Sequence, residues 1–154
     1  MSGLSFLDKL LDGVRVEWKS LEEISSLQRG KRLVRTQLKE VDQYAVYQNS
    51  MTPLGYYHES NVKAETAFVI SAGAAGEVGY SNVDFWAADD VYFFAATDAV
   101  NQKYLYHFLL TKGNDISSQV RRASIPRLSR AVIEKLQIPI PCPDNPKRSL
   151  EIQS

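Results

Sequence analysis

Three short runs of strand-like composition come before a single well-defined stretch of helical period, and that order excludes most architectures open to the chain. The runs are Tyr44-Ala-Val-Tyr-Gln48, Ala67-Phe-Val-Ile-Ser71 and Val91-Tyr-Phe-Phe-Ala95. Each is apolar, aromatic or β-branched and is bounded by Gly, Pro, Asn or Asp. Helical spacing follows from Asn101 to Leu110, with Tyr104, Leu105, Phe108 and Leu109 on one side and Gly113 as the stop. Strands that do not alternate with helices do not build a parallel α/β sheet. The pattern therefore predicts an α+β fold, a single globular domain with a twisted, mostly antiparallel sheet and flanking helices. At 154 residues the chain fits one domain with a real core.

The flanking segments agree with this reading. Ser5-Phe-Leu-Asp-Lys-Leu-Leu11 has helical spacing and meets Gly13, so an N-terminal helix is expected within residues 1–13. Val14, Val16 and Trp18 alternate with Arg15 and Glu17, the period of a half-buried strand. Ser20-Leu-Glu-Glu23 fits a capping box, and Leu21, Ile24 and Leu27 predict a short helix continuing from it. The glycine-rich stretch Ser71–Tyr80 predicts a hairpin turn. A polar loop is expected from Ser117 to Pro126, then a helix capped by Ser129 and running through Lys135. Gln137-Ile-Pro-Ile-Pro-Cys-Pro is held extended by proline geometry.

Hydrophobic residues make up 44% of the chain and charged residues 23%, ordinary values for a globular protein. No apolar run approaches the roughly 20 residues that span a bilayer, and no secretion signal opens the chain. The one cysteine, Cys142, sits between two prolines and reads as a bystander thiol compatible with the cytoplasm. Lys and Arg together number 18, as do Asp and Glu, so no global charge draws the chain to a phosphate backbone. The cations nevertheless cluster, with Arg29, Lys31, Arg32 and Arg35 in one group and Arg121, Arg122, Arg127 and Arg130 in another.

Catalytic motifs are absent. Gly73, Gly76 and Gly79 make neither a phosphate loop nor a dinucleotide fingerprint, and hairpin geometry or close backbone approach accounts for them better. His58 and His107 stand far apart without a partner at metal-ligand spacing, and His107 reads as a half-buried helix residue. Asp89-Asp90 lacks the downstream Glu-x-Lys of common nucleases and reads as a turn before a strand. Asn145-Pro146-Lys147 is similar to the NPPY motif of amino-methyltransferases, but it lacks the aromatic residue that would stack on a flipped base. No catalytic residue, metal site or cofactor is assigned.

What remains is a set of polar, basic loops. Gln28-Arg29-Gly30-Lys31-Arg32 and Gln119-Val-Arg121-Arg122-Ala-Ser-Ile-Pro-Arg127 carry side chains suited to base edges and phosphates. On composition alone, a solvated charged surface fits them equally well.

Read together, several segments resemble the target-recognition domains of type I restriction–modification specificity subunits. They are Val16-Glu-Trp18-Lys-Ser-Leu21-Glu-Glu-Ile24 leading to Gly30, the hairpin Ile70–Gly79, Tyr104-Leu-Tyr-His-Phe-Leu-Leu110, Arg122-Ala-Ser-Ile-Pro-Arg127-Leu-Ser129 and Leu136-Gln-Ile-Pro-Ile-Pro141. The opening Phe6–Val14 and the closing Pro141–Ser154 are similar to the IC branch of that family. The resemblance implies a recognition domain over residues 14–143 and the start of a spacer helix over 144–154, cut short at Ser154. It implies a non-catalytic protein that reads one half of a split target in double-stranded DNA. In the family, methyltransferase subunits bind the spacer helices and a restriction subunit joins afterward. The alternative is a protein-interaction scaffold for the methyltransferase subunits, with negligible DNA binding in isolation. The DNA-contacting residues expected on this reading are Arg29, Lys31, Arg32, Arg121, Arg122 and Arg127 on one face, with Gln48, Asn49 and Tyr80 as further candidates. The sequence does not sort them into base readers and phosphate contacts.

Overall fold

A computed structural model describes residues 16–141. The helix expected within residues 1–13, Cys142 and the expected spacer-helix start at 144–154 lie outside the described residues. In chain order the elements are β1 (Val16–Ser20), α1 (Leu21–Ile24), β2 (Leu27–Arg29), a 3-10 turn (Arg35–Gln37), β3 (Tyr44–Tyr47), β4 (Gly55–Tyr57), β5 (Thr66–Ile70), β6 (Val78–Ser81), β7 (Trp86–Ala87), β8 (Val91–Phe94), α2 (Gln102–Thr111), α3 (Gly113–Ser118), α4 (Arg130–Glu134) and β9 (Gln137–Pro141). The chain is α+β, with its strands divided among three sheets: β1-β9, β2-β8-β5-β6 and β4-β3-β7. All the strand pairs are antiparallel except β3 with β7. None of the described helices is long and apolar enough to cross a membrane.

The central strand β5 organises the core. Every residue from Thr66 to Ile70 is buried. Because successive side chains point to opposite faces, Ala67 and Val69 join a large cluster beneath the helices, while Phe68 and Ile70 enter a smaller one shared with the β4-β3-β7 side. Burial on both faces explains why this run is apolar without alternation. Helix α2 presents Tyr104, Leu105, Phe108 and Leu109 to the large cluster, the face its spacing predicts. Asn101 caps it, its side-chain oxygen accepting from the N–H groups of Lys103 and Tyr104 at 2.9 and 3.1 Å. Gln102 ties the helix start to two strands: its Oε1 accepts from Ala67 N at 3.0 Å and its Nε2 donates to the Phe94 carbonyl at 3.2 Å.

Three local expectations are corrected. The helix after Ser20 ends at Ile24 rather than continuing to Leu27, because Ser25 is extended and its hydroxyl donates to the Ala95 carbonyl at 2.9 Å. Leu27 is buried instead from β2, opposite Phe94 on β8, where a ladder of backbone hydrogen bonds outweighs helical spacing. Gly113 does end α2, yet it also opens α3, which buries Ile116 and shortens the polar loop expected from Ser117. β4 and β7, of three and two residues, carry too little pattern to be read from sequence.

Candidate nucleic-acid interface

The first basic segment is fixed where β2 leaves the four-stranded sheet. Arg29 Nε donates to the Asp89 carbonyl at 2.7 Å, Gly30 N to the Val91 carbonyl at 3.0 Å and Lys31 N to the Ala87 carbonyl at 2.9 Å. A Cβ at Gly30 would lie 2.2 Å from the carbonyl oxygens of both Ala87 and Ala88, so only glycine lets the chain cross there. Trp86 Nε1 then donates to the Lys31 carbonyl at 2.8 Å. These contacts leave Arg29, Lys31, Arg32 and Arg35 exposed.

The second basic segment is a closed loop. Arg121 and Arg127 exchange backbone hydrogen bonds at 2.8 and 3.2 Å, between the buried anchors Val120 and Leu128. Arg127 also faces Ala72, and Gly73 N donates to the Pro126 carbonyl at 3.0 Å. Ser71 joins the two halves of the site. Its N–H donates to the Asp90 carbonyl at 2.8 Å, and its own carbonyl accepts from Leu128 N at 2.7 Å. Residues 126–128 thereby continue along β5 the place that β8 occupies before them. Arg121 stands one strand outside Arg127, as β2 stands one strand outside β8. Arg29 is in register with Tyr92 and hence with Val69, whereas Arg127 is in register with Ala72. Three residues of register correspond to about 10 Å along the strand direction. The backbones of the two basic segments, about ninety residues apart in sequence, thus lie along the same border of the four-stranded sheet.

Beside the second segment lies the loop after β3. Gln48 Nε2 reaches Asp90 Oδ2 at 3.5 Å, and the Asn49 carbonyl accepts from Ala74 N at 2.9 Å. Gly73, at φ +81°, packs so closely that a Cβ there would sit 2.8 Å from Asn49 Cβ. Gly76 shares the positive φ, so the glycine stretch is a tight turn, in keeping with its structural reading. Tyr80 is placed elsewhere. It is on β6, its ring 5.7 Å from that of Tyr106 on α2, with its hydroxyl donating to the Glu65 carboxylate. Burial first, then the Glu65 hydrogen bond and charge, push its phenol up to about 12. Arg130 is also turned to structure, donating to the Leu27 carbonyl and to Glu134.

Sequence reasoning did not anticipate the splice at Ser71 or the Asp89 carbonyl that receives Arg29. Neither carries a sequence signal, since both act through backbone atoms. Asp89-Asp90 does form the expected turn. His107 is half-buried beside Tyr106, with ring centroids 5.3 Å apart, as its helical position implied. Among the described residues, no group of three His, Cys, Asp or Glu side chains is placed to hold a metal ion.

Residues 14–154 match the family described as the type I restriction modification DNA specificity domain. The chain belongs to this family. The specificity domain is 31% identical to the specificity subunit of the Escherichia coli type I restriction enzyme EcoR124I/EcoR124II, over all of this chain and 39% of that protein. It is 29% identical to a putative type I restriction enzyme specificity subunit of Haemophilus influenzae, over 89% of this chain and 36% of that one. The specificity domain therefore spans less than half the length of these relatives. Its fold is also that of the type I restriction–modification S subunit from M. genitalium. The TM-score is 0.75 at 16% identity, over 84% of this chain and 35% of that one.

Proposed function

We propose that this chain is the sequence-reading domain of a type I restriction–modification specificity subunit. It binds one half of a bipartite target in double-stranded DNA and carries out no chemistry itself. The observation that carries this is the splice that sets Arg121 and Arg127 along the same border of the sheet as Arg29 on β2. It brings cations of two distant segments together in a chain of zero net charge. On this reading Arg29, Lys31, Arg32, Arg121, Arg122 and Arg127 face DNA, with Gln48 and Asn49 on the loop beside Arg127. Tyr80, engaged by Glu65 and Tyr106, contributes to packing. The domain works in the cytoplasm, spans residues 14–143, and serves within a longer specificity subunit that methyltransferase subunits, and then a restriction subunit, join.

The balance of 18 cations against 18 anions favours a second reading, a scaffold for the methyltransferase with negligible DNA affinity of its own. Salt dependence separates the two. The chain should shift labelled duplex with a dissociation constant of about 10⁻⁴ to 10⁻⁶ M or tighter. Changing Arg121, Arg122 and Arg127 together to Ala should lower the salt slope by roughly 0.9 for each phosphate no longer neutralised. No shift at low salt, or an unchanged slope, favours the scaffold.

A further inference from the structure

We propose that cations of the two basic segments hold phosphates while Asn49, on the loop packed beside Arg127, reads an adenine. The inference rests on the DNA-binding reading above and adds to it which base class that loop takes. Three observations carry it.

The first is electrostatic. The Asp89-Asp90 turn lies at the middle of the edge, next to Gln48 and Ser71, with Arg29 on one side and the Arg121–Arg127 loop on the other. The half-buried Asp90 carboxylate disfavours a phosphate at that place, while base edges with exposed amino groups are welcome there. The second is occupancy. Arg29 Nε is engaged on the Asp89 carbonyl and the Gln48 amide on Asp90. Asn49 is exposed, and among the described residues no hydrogen bond occupies its carboxamide. The third is rigidity. The Asn49 carbonyl accepts from Ala74 N at 2.9 Å, and Leu54 N closes the loop onto the Val46 carbonyl at 2.8 Å. On the strand leading into it, Ala88 N holds the Tyr47 carbonyl at 2.9 Å. Gly73 then packs directly against Asn49 Cβ. Bidentate reading depends on such fixed geometry, and a carboxamide offers the one donor and one acceptor that match N7 and N6 of adenine in the major groove.

The test is enrichment of a random duplex library on the immobilised chain at low salt, followed by sequencing. The wild-type profile should contain an A·T pair preferred by about tenfold at one position. Asn49→Ala should erase that preference. Asn49→Asp, which only accepts, should move it to cytosine, whose N4 amino group donates; a gained preference cannot come from misfolding. A wild-type profile without an A·T preference, or an Asn49→Asp profile equal to wild type, overturns the role of Asn49. The triple arginine variant then tells the two failures apart. If it still weakens binding to every duplex, DNA binding stands and only the reader is wrong; if it does not, the assignment of the edge falls as well.

Discussion

The two faces of β5 are covered in different ways. Beneath the helices, sixteen buried residues from α1, α2, α3, α4 and the strands form one cluster around Tyr104, Leu105, Phe108 and Leu109. On the other face six buried residues, among them Phe68, Ile70 and Phe85, are roofed by short strands and by half-buried Tyr47, Met51, Ala74 and Phe93. The larger cluster draws on none of the proposed DNA-facing residues. The smaller one lies under the loop after β3 and the glycine turn, which carry Asn49 and Gly73. The comparison teaches that the larger cluster anchors the proposed DNA-facing loops through Leu27, Val120 and Leu128, while the exposed cations they carry lie outside it and can change without loss of the core.

Two substitutions test this division. Phe108→Ala removes a fully buried ring from the helix-side cluster and should cost about 4–5 kcal/mol in denaturant unfolding. Phe85→Ala also removes a fully buried ring, packed 5.0 Å from Phe68 and 5.6 Å from Tyr47 by centroid. Its cost should be smaller, about 3 kcal/mol, because half-buried neighbours can settle into the space. Equal costs would show that the two faces are packed alike and would remove the contrast.

The same division explains what the sequence discloses. The helix-side cluster depends on long elements whose period survives in the primary structure. The face of α2, the Asn101 to Gly113 limits, the Ser129 cap and the extended Gln137–Pro141 segment all follow from spacing and side-chain chemistry. The other side is made of strands of two to four residues, where period cannot be established and tertiary pairing decides. Leu27 shows the limit: its helical spacing is real, yet the free edge of β8 offered it a ladder. At the proposed interface, the two clusters of arginine are visible in the sequence, but their meeting is not. That meeting depends on backbone groups of Ser71, Asp89 and Asp90, whose partners no pattern encodes.

A third, smaller effect sharpens the comparison on the helix side. The Tyr104 hydroxyl donates to the Pro139 carbonyl at 2.7 Å, tying α2 to the β1-β9 ribbon. Tyr104→Phe leaves that carbonyl without its donor and should cost about 1–2 kcal/mol. Burial also pushes the Tyr104 phenol up to about 12, against 10.0 for the unperturbed group. A folded-state value above the unfolded one means that the stabilisation is complete below pH 10 and is lost as pH rises from 10 toward 12. Alkaline titration of the midpoint temperature should therefore be flatter in Tyr104→Phe than in wild type. Parallel curves would show that Tyr104 is not the group responsible.

The smallest effect is expected where the ribbon enters α1, at the capping box that the sequence anticipates. The Glu23 carboxylate accepts from the Ser20 hydroxyl at 2.8 Å and from the Ser20 backbone N–H at 3.4 Å. These bonds, the hydroxyl's first, hold the Glu23 carboxyl below its ordinary value of 4.5 against an opposing effect of desolvation, with the least contribution from Lys19. A depressed carboxylate contributes stability that is present above its unfolded value and disappears as pH falls through the folded one. Ser20→Ala removes the stronger of the two donors while leaving the backbone N–H in place. The variant should melt slightly below wild type at neutral pH, with the gap narrowing as pH drops below 4.5. Circular dichroism melts at pH 7 and at successively lower pH measure it. A gap that stays constant with pH would assign the loss to the packing of Ser20, which is buried, and not to its bond with Glu23.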